Sequence, residues 1–466
     1  MRQLLLVAAA GAIVLVLFSG PAAADDPKPL SLNQALRMAL SGNGELRAMK
    51  EEKGIYEGER LTATAWPNPL LELEGAGGAP FGNSEDYGVA VGVSQEIVTA
   101  GKAVKRRAVA DKSLEAYRCR LADRERLLTE EVTVAYREFQ FIRKRLELAG
   151  TARDLSKQLL SVATERFTAG DIAELELNLA KVELARSEGR ILEAERELLP
   201  AQSRLANLAG FPPDSEVEVE VEPLPAPFSR PPTLTCLLDG LDRRRPDLLA
   251  LAAERDRGNA EQEVVKSERI PNVTATLFYR HDEMTFEIDR QQGLKRDDTL
   301  GLKLSIPLPL FDQNQGRLRG ALARTSRSER EYEAAFVSAR REVATAYARL
   351  RSSEKVLVLY ARDILPQLEE NLRLMREAYQ VNEVGILSVI EEQRKFLEVH
   401  DGYLNDLKTG LIARARLEAA AVINPVTTSP PLVKGGLGEF LEAATPPNPP
   451  ESPFSKVILP VSGGAP

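Results

Sequence analysis

The chain carries one long pattern twice, and this constrains it more than any other feature. A block from Leu32 to about Leu208 recurs from Leu234 to about Ala421. Trp66-Pro67-Asn68 answers Ile270-Pro271-Asn272, and Val132-Thr133-Val134-Ala135-Tyr136 answers Val343-Ala344-Thr345-Ala346-Tyr347. Arg166-Phe167-Thr168-Ala169-Gly170-Asp171 answers Ala378-Tyr379-Gln380-Val381-Asn382-Glu383. A doubled helix–hairpin–helix unit points to a pseudo-symmetric tube rather than a globular enzyme.

Each copy opens with a short amphipathic helix, residues 32–40 and 234–243, followed by a medium helix, about 45–65 and 247–269. Pro67 and Pro271 stop the medium helices, because proline lacks the N–H and clashes with the preceding turn. A pair of strands follows, about 69–75 with 87–97 and about 272–280 with 299–308. Val89, Val91 and Val93 alternate with Gly88, Ala90, Gly92 and Ser94; Leu300, Leu302, Leu304 and Ile306 alternate with Thr299, Gly301, Lys303 and Ser305. Period-two alternation gives each strand one apolar and one small or polar face. The polar stretches 76–86 and 281–298 read as solvated loops.

A very long helical run comes next, about 102–167 and 317–379, roughly 65 residues or about 95 Å at 1.5 Å per residue. Tight turns follow at Ala169-Gly170-Asp171 and Val381-Asn382-Glu383, with Gly and Asn as the residues that most easily take φ > 0 after a helix. The returning helices, about 173–208 and 386–421, reach only about 55 Å. Each needs the medium helix stacked on its end to match the long one. Between the repeats, 210–232 is Pro-rich and holds an alternating Glu-Val run at 216–221 that reads as a short exposed strand.

The N-terminus reads as an export signal over residues 1–24: Arg2, an apolar core from Leu4 to Phe18, and a small-residue site at Pro21-Ala22-Ala23-Ala24. The domains are then 25–209 for the first repeat, 210–232 for the linker, 233–423 for the second repeat, and 424–466 for a Pro-, Gly- and Ser-rich disordered tail. Net charge is −8, against nucleic acid as a main partner. Cys119 and Cys236 read as free thiols on helix faces. His281 and His400 have no spaced partner ligands, so no metal site and no cofactor is expected, and no phosphate loop, nucleophile elbow or zinc-protease motif is present.

Four strands with one apolar face cannot cross a bilayer as an open sheet, because their edges would leave unpaired backbone groups in hydrocarbon. A closed barrel takes at least eight strands, so four per chain requires several chains, and three chains give twelve. Trp66 and Phe311 flank the strands where an aromatic belt belongs.

Nearly the whole chain, about Leu30 to Ile423, resembles the TolC family of outer-membrane efflux channels. The resemblance rests on the doubled repeat, the Pro-Asn motifs, Ser94-Gln95-Glu96 with Gly101-Lys102, and the two helix turns. Leu308-Pro309-Leu310-Phe311-Asp312-Gln313-Asn314-Gln315-Gly316 is similar to the corresponding motif of the CzcC-like heavy-metal branch. The resemblance implies a mixed α/β membrane protein: a homotrimer with a twelve-stranded β-barrel in outer-membrane lipid and an α-helical barrel in the periplasm of a Gram-negative cell. It implies a passive exit duct, not an enzyme, coupled to a periplasmic adaptor and an inner-membrane RND-type pump. Heavy-metal cations are the leading substrate, and small organic drugs the alternative. A periplasmic adaptor or coiled-coil scaffold without a barrel is the alternative of another class, against which the alternating strands count.

The family also lines its periplasmic entrance with acids after the turns. Glu176 matches the first such position in repeat one; in repeat two Ser388 replaces an acid and Glu391 keeps the next. Val384 stands where the family has a basic residue. The adaptor-docking turns are expected at Ala169, Gly170, Asp171 and Ile172, and at Val381, Asn382, Glu383 and Val384, with the neighbours of Gly170 and Asn382 exposed at the tip. The barrel–helix junction is expected at Trp66, Pro67, Pro271, Pro307, Pro309, Phe311, Asp312 and Gly316.

Overall fold

A computed structural model describes residues 29–77, 86–212, 217–220, 233–288 and 291–423. The proposed export signal and C-terminal tail lie outside the described residues. Helix α1 (Leu32–Gly42) opens on a Ser31 capping box, in which Ser31 Oγ accepts from the Gln34 N–H and Gln34 Oε1 accepts from the Ser31 N–H. Helices α2 (Gly44–Glu51) and α3 (Lys53–Thr64) follow, then strands β1 (Leu70–Gly77) and β2 (Tyr87–Ile97). The long helix α4 (Lys102–Ala169) runs 68 residues without a break, about 100 Å. It turns into α5 (Glu174–Ala209).

The second repeat opens with two short helices, α6 (Leu234–Leu238) and α7 (Leu241–Arg244), where the sequence suggested one. The break falls at Asp239-Gly240, with Gly240 in the left-handed region. Helix α8 (Pro246–Ser267) leads to strands β3 (Val273–Ile288) and β4 (Gln291–Ser305). These strands continue through most of 281–298, which the sequence placed in a loop. The polar residues there stand opposite one another in an unbroken antiparallel ladder, including His281 opposite Asp298 and Glu283 opposite Arg296. Polarity therefore marked solvated strand rather than coil.

The second long helix is not continuous either. It consists of α9 (Gln315–Leu359), a π-helical turn at Tyr360–Ile364, and α10 (Leu365–Gln380). Pro366 explains the interruption: it offers no N–H and its ring crowds the carbonyl four residues back, and a π turn absorbs both defects. Helix α11 (Ile386–Ala420) returns the chain.

The stacked arrangement of short and medium helices is held at Gly210. Its φ of 78° is left-handed, and a Cβ there would lie 2.5 Å from the Gly42 carbonyl oxygen. Only glycine fits where the end of α5 abuts the α1–α2 corner. Asn43 fastens this corner, donating to the Leu208 carbonyl at 3.3 Å and accepting from the Leu46 N–H at 3.0 Å.

Each repeat has its own apolar cluster: Leu36, Leu46, Val132, Tyr136 and Leu205 in the first, Leu241, Leu248, Val343, Leu350 and Leu417 in the second. The linker run expected as an exposed strand joins the first of these. Val217 and Val219 are buried, and the chain there bonds in parallel to Leu30. Their apolar side chains gain more from the cluster than from solvent exposure.

Candidate functional site

The four strands form one antiparallel sheet in the order β1-β2-β3-β4, so the hairpins of the two repeats join at β2–β3. Residues directly opposite one another share a face. One face carries the rows Leu71–Val93–Leu277–Leu302 and Leu73–Val91–Tyr279–Leu300. All eight side chains are exposed. Burying each one is worth roughly 1.5–3 kcal/mol, so water is a poor solvent for this surface. The next rows in the same direction turn amphipathic, with Tyr87, His281, Glu283, Arg296 and Asp298. The Tyr279 hydroxyl donates to Asp298 at 2.7 Å, and His281 Nδ1 lies 2.6 Å from the same carboxylate.

The opposite face carries Glu72, Glu74, Arg280, Lys303 and Phe278. Arg280 pairs with Glu74 at 3.3 Å across two strands. The Phe278 ring lies over Gly301, and a side chain there would push the ring aside. The sheet thus has one apolar and one charged side, and each strand packs chiefly on its neighbouring strands.

Below the sheet the β2–β3 seam closes on Asn272. Its Oδ1 accepts from Lys102 Nζ at 2.6 Å and from the Thr99 N–H at 3.3 Å, and its Nδ2 donates to Glu96 at 2.6 Å. Thr99 Oγ1 donates to the Pro271 carbonyl at 2.7 Å, and Gln95 donates to the Pro67 carbonyl at 3.0 Å. Burial lowers the Lys102 pKa, partly offset by Glu268 and Glu96. The rest of the expected junction is open. Trp66 is 67% exposed and Phe311 92%, with Pro307, Pro309, Asp312 and Gly316 also exposed. Asp312 accepts from the Asn314 N–H at 2.9 Å, holding the left-handed Asn314 that starts α9.

At the far end of the helices both turns take the left-handed conformation, at Gly170 (φ 84°) and Asn382 (φ 65°). Ala169, Asp171, Val381 and Glu383 are exposed. Ile172 and Val384, expected at the surface, instead pack against the tip cluster of Leu159, Ala163, Leu177, Tyr379, Ile386 and Ile390. Each lies where the chain re-enters its helical pair and can shed water. Glu176 is half-buried and faces the seam between the hairpins: its charge, after burial, helps raise the Tyr379 pKa, which Arg166 opposes. Ser388 is half-buried and Glu391 is exposed on α11.

Two cross-hairpin links were not expected from the sequence. Arg166 donates to the Tyr379 carbonyl at 3.1 Å and to the Asn382 side chain, with its guanidinium over the Tyr379 ring. Glu183, 3% exposed, accepts from Arg394 at 2.6 Å. The repeat alignment carried a signal for the first: Arg166 stands opposite Ala378, so the basic residue occurs in one copy only. Among the described residues no three His, Cys, Asp or Glu side chains group as a metal site, and no helix is long and apolar enough to cross a membrane. Cys119 and Cys236 are free, and burial raises the Cys119 thiol.

The family model for outer membrane efflux proteins matches residues 36–211 and 237–421, one block per repeat. The chain belongs to this family. This outer membrane efflux protein is 26% identical over 383 residues to the cobalt-zinc-cadmium resistance protein CzcC of Cupriavidus metallidurans, covering 81% of this chain and 87% of that one. Its fold is similar to the outer-membrane channel OprN (TM-score 0.68, 21% identity, covering 84% of this chain and 89% of that one). It is equally similar to CusC (TM-score 0.68, 19% identity, 84% and 91%). The efflux protein is a channel component and not an enzyme, and the adaptor and scaffold alternative falls with the family match.

Proposed function

We propose that three copies of this efflux protein form the outer-membrane exit duct of a tripartite pump for heavy-metal cations. The sheets close into a twelve-stranded barrel in lipid, and the helical hairpins form a periplasmic tube whose turns meet an adaptor fed by an inner-membrane pump. The observation that carries this reading is the apolar surface running across all four strands while, among the described residues, both outer strands keep unpaired edges. Lipid matches the apolar face, and only closure with other copies satisfies the edges. Likeness to a protein named for cobalt, zinc and cadmium resistance favours metal cations over drugs.

The turns dock the adaptor through the exposed Ala169, Asp171, Val381 and Glu383, held by Gly170 and Asn382. Glu391, exposed on α11, forms a threefold carboxylate ring that draws cations into the narrow entrance, with Glu176 and Ser388 behind it. Deleting the coding region should sensitise the native host to cobalt, zinc or cadmium and leave tolerance to organic drugs unchanged; the reverse pattern overturns the metal assignment. In planar bilayers Glu391→Gln should lower cation preference, and unchanged selectivity removes the ring.

A further inference from the structure

At the foot of the sheet both repeats present one apolar and one basic side chain to solvent at the same place. Trp66 and Ile270, equivalent by the Pro-Asn motifs that follow them, are 67% and 55% exposed. Arg106 and Arg319 each lie five residues past the left-handed residue that starts a long helix, Gly101 before α4 and Asn314 before α9, and both are exposed. Ion pairs set the heights. Arg60 of α3 meets Asp111 of α4 at 2.5 Å, and steps toward the sheet from that pair lead to Trp66 on one helix and Arg106 on the other. In the second repeat Arg324 meets Glu261 at 2.8 Å and Arg317 meets Glu268 at 3.2 Å, and these bracket Arg319 near the level of Ile270.

The carboxylates around these arginines are already taken. Asp111 serves Arg60 and Arg107, Glu261 serves Arg324, Glu268 serves Arg317, and Glu263 serves Lys266. The first turns of α4 and α9 hold no acid. Among the described residues neither Arg106 nor Arg319 makes an ion pair, although most of the bases beside them do. A guanidinium without a protein anion, beside bare apolar side chains and next to the apolar face of the sheet, matches the surface of a membrane. Stems and rings lie in hydrocarbon there, and the charge reaches the phosphates.

We infer that Arg106 and Arg319 hold the phosphate groups of anionic phospholipid at the membrane surface on the helix side of the sheet, with Trp66 and Ile270 in the acyl region beside them. The proposal rests on the closed-barrel reading above. Each base near an anionic lipid surface adds to the attraction, and two per copy repeat around the whole collar of a trimer. The apolar neighbours fix the depth, because tryptophan favours the level where hydrocarbon gives way to headgroups. Turned toward the lumen, the same arginines would set a positive ring across the path of the cations the duct is built to pass.

Trp66 is the only tryptophan in the chain, so its fluorescence reads this collar without a label. The full-length protein is reconstituted in phosphatidylcholine vesicles that carry increasing amounts of acyl-brominated phosphatidylglycerol or, separately, acyl-brominated phosphatidylcholine. Half-maximal quenching of Trp66 should need several-fold less of the brominated phosphatidylglycerol. Arg106→Gln with Arg319→Gln should abolish that difference. Arg196→Gln with Arg349→Gln, at exposed positions far from the sheet, should keep it. Equal quenching by both lipids in the unchanged protein, or a difference that survives Arg106→Gln with Arg319→Gln, overturns the proposal. So does a trimer in which Trp66 answers only to acrylamide in the water, or to neither quencher; each of these leaves the barrel standing. Failure to enter vesicles as a trimer overturns the barrel reading too.

Discussion

The guanidinium of Arg166 lies 4.8 Å from the centre of the Tyr379 ring, across the seam between the two helical hairpins. Together with its bonds to the Tyr379 carbonyl and the Asn382 side chain, this joins both tips of a protomer into one body. A cation–π contact at a partly desolvated site is worth about 1–2 kcal/mol. Arg166→Ala should therefore speed amide hydrogen exchange over residues 378–386 by about tenfold. Exchange in the sheet should stay as it is. Unchanged exchange at the tip shows that the apolar cluster alone holds the turns.

Glu183 and Arg394 form a second cross-hairpin link farther from the turns, with the carboxylate almost fully buried. Removing the cation leaves that charge without compensation. Arg394→Ala should destabilise the protein by about 1–2 kcal/mol in denaturant unfolding, less than for a fully buried pair because the guanidinium is partly exposed. Glu193→Gln, at an exposed position of the same hairpin, should change it little.

The two faces of the sheet should tolerate charge differently. Val91→Lys or Leu302→Lys puts a cation on the apolar face, at roughly 2–4 kcal/mol per copy near mid-bilayer. Trimer yield from membranes should collapse. Ser305→Lys and Thr299→Lys, on the charged face, should assemble. Ser94 is a poor control despite sharing that face, because it is buried. Equal assembly of all four variants means that the alternation does not report lipid contact.

Some of this was legible in the sequence and some was not, for identifiable reasons. Pro67 and Pro271 mark helix ends because proline's constraint is local, and the Val89–Val93 alternation marks a strand face because neighbouring residues alone set it. The length of β3 and β4 was hidden. The stretch from His281 to Asp298 is mostly polar in sequence, and polarity reads as loop unless the pairing of His281 with Asp298 and Glu283 with Arg296 is known. The register of the sheet and the partners of Arg166 depend on residues some 200 positions away. Local pattern carries no signal for them. The mismatches of Arg166 with Ala378 and of Glu176 with Ser388 hinted only that the two tips differ.

His400 should make stability depend on pH. It packs against Phe396 at 4.2 Å between ring centres, and burial lowers its pKa, with a smaller opposing effect from the Phe396 carbonyl. The folded state then binds a proton less readily than the unfolded chain. The stability contributed by neutral His400 is present above about pH 6.5 and is lost as pH falls below it. His400→Leu should flatten the thermal stability curve between pH 7 and 5. A curve of unchanged slope assigns the acid sensitivity elsewhere.

The π turn at Tyr360–Ile364 makes the two long columns of each protomer mechanically unequal. α4 is a single strut over its whole 68 residues. Its counterpart has a section where the regular ladder of bonds is broken, and a strut yields at its weakest section. A force delivered along the axis from the turns passes up α4 as thrust. In the other column the same force is converted into bending at one known height, level with the Tyr360–Tyr403 contact. Identical pushes on the two hairpins should therefore give unequal displacements, with the yielding section set by where Pro366 falls in the chain.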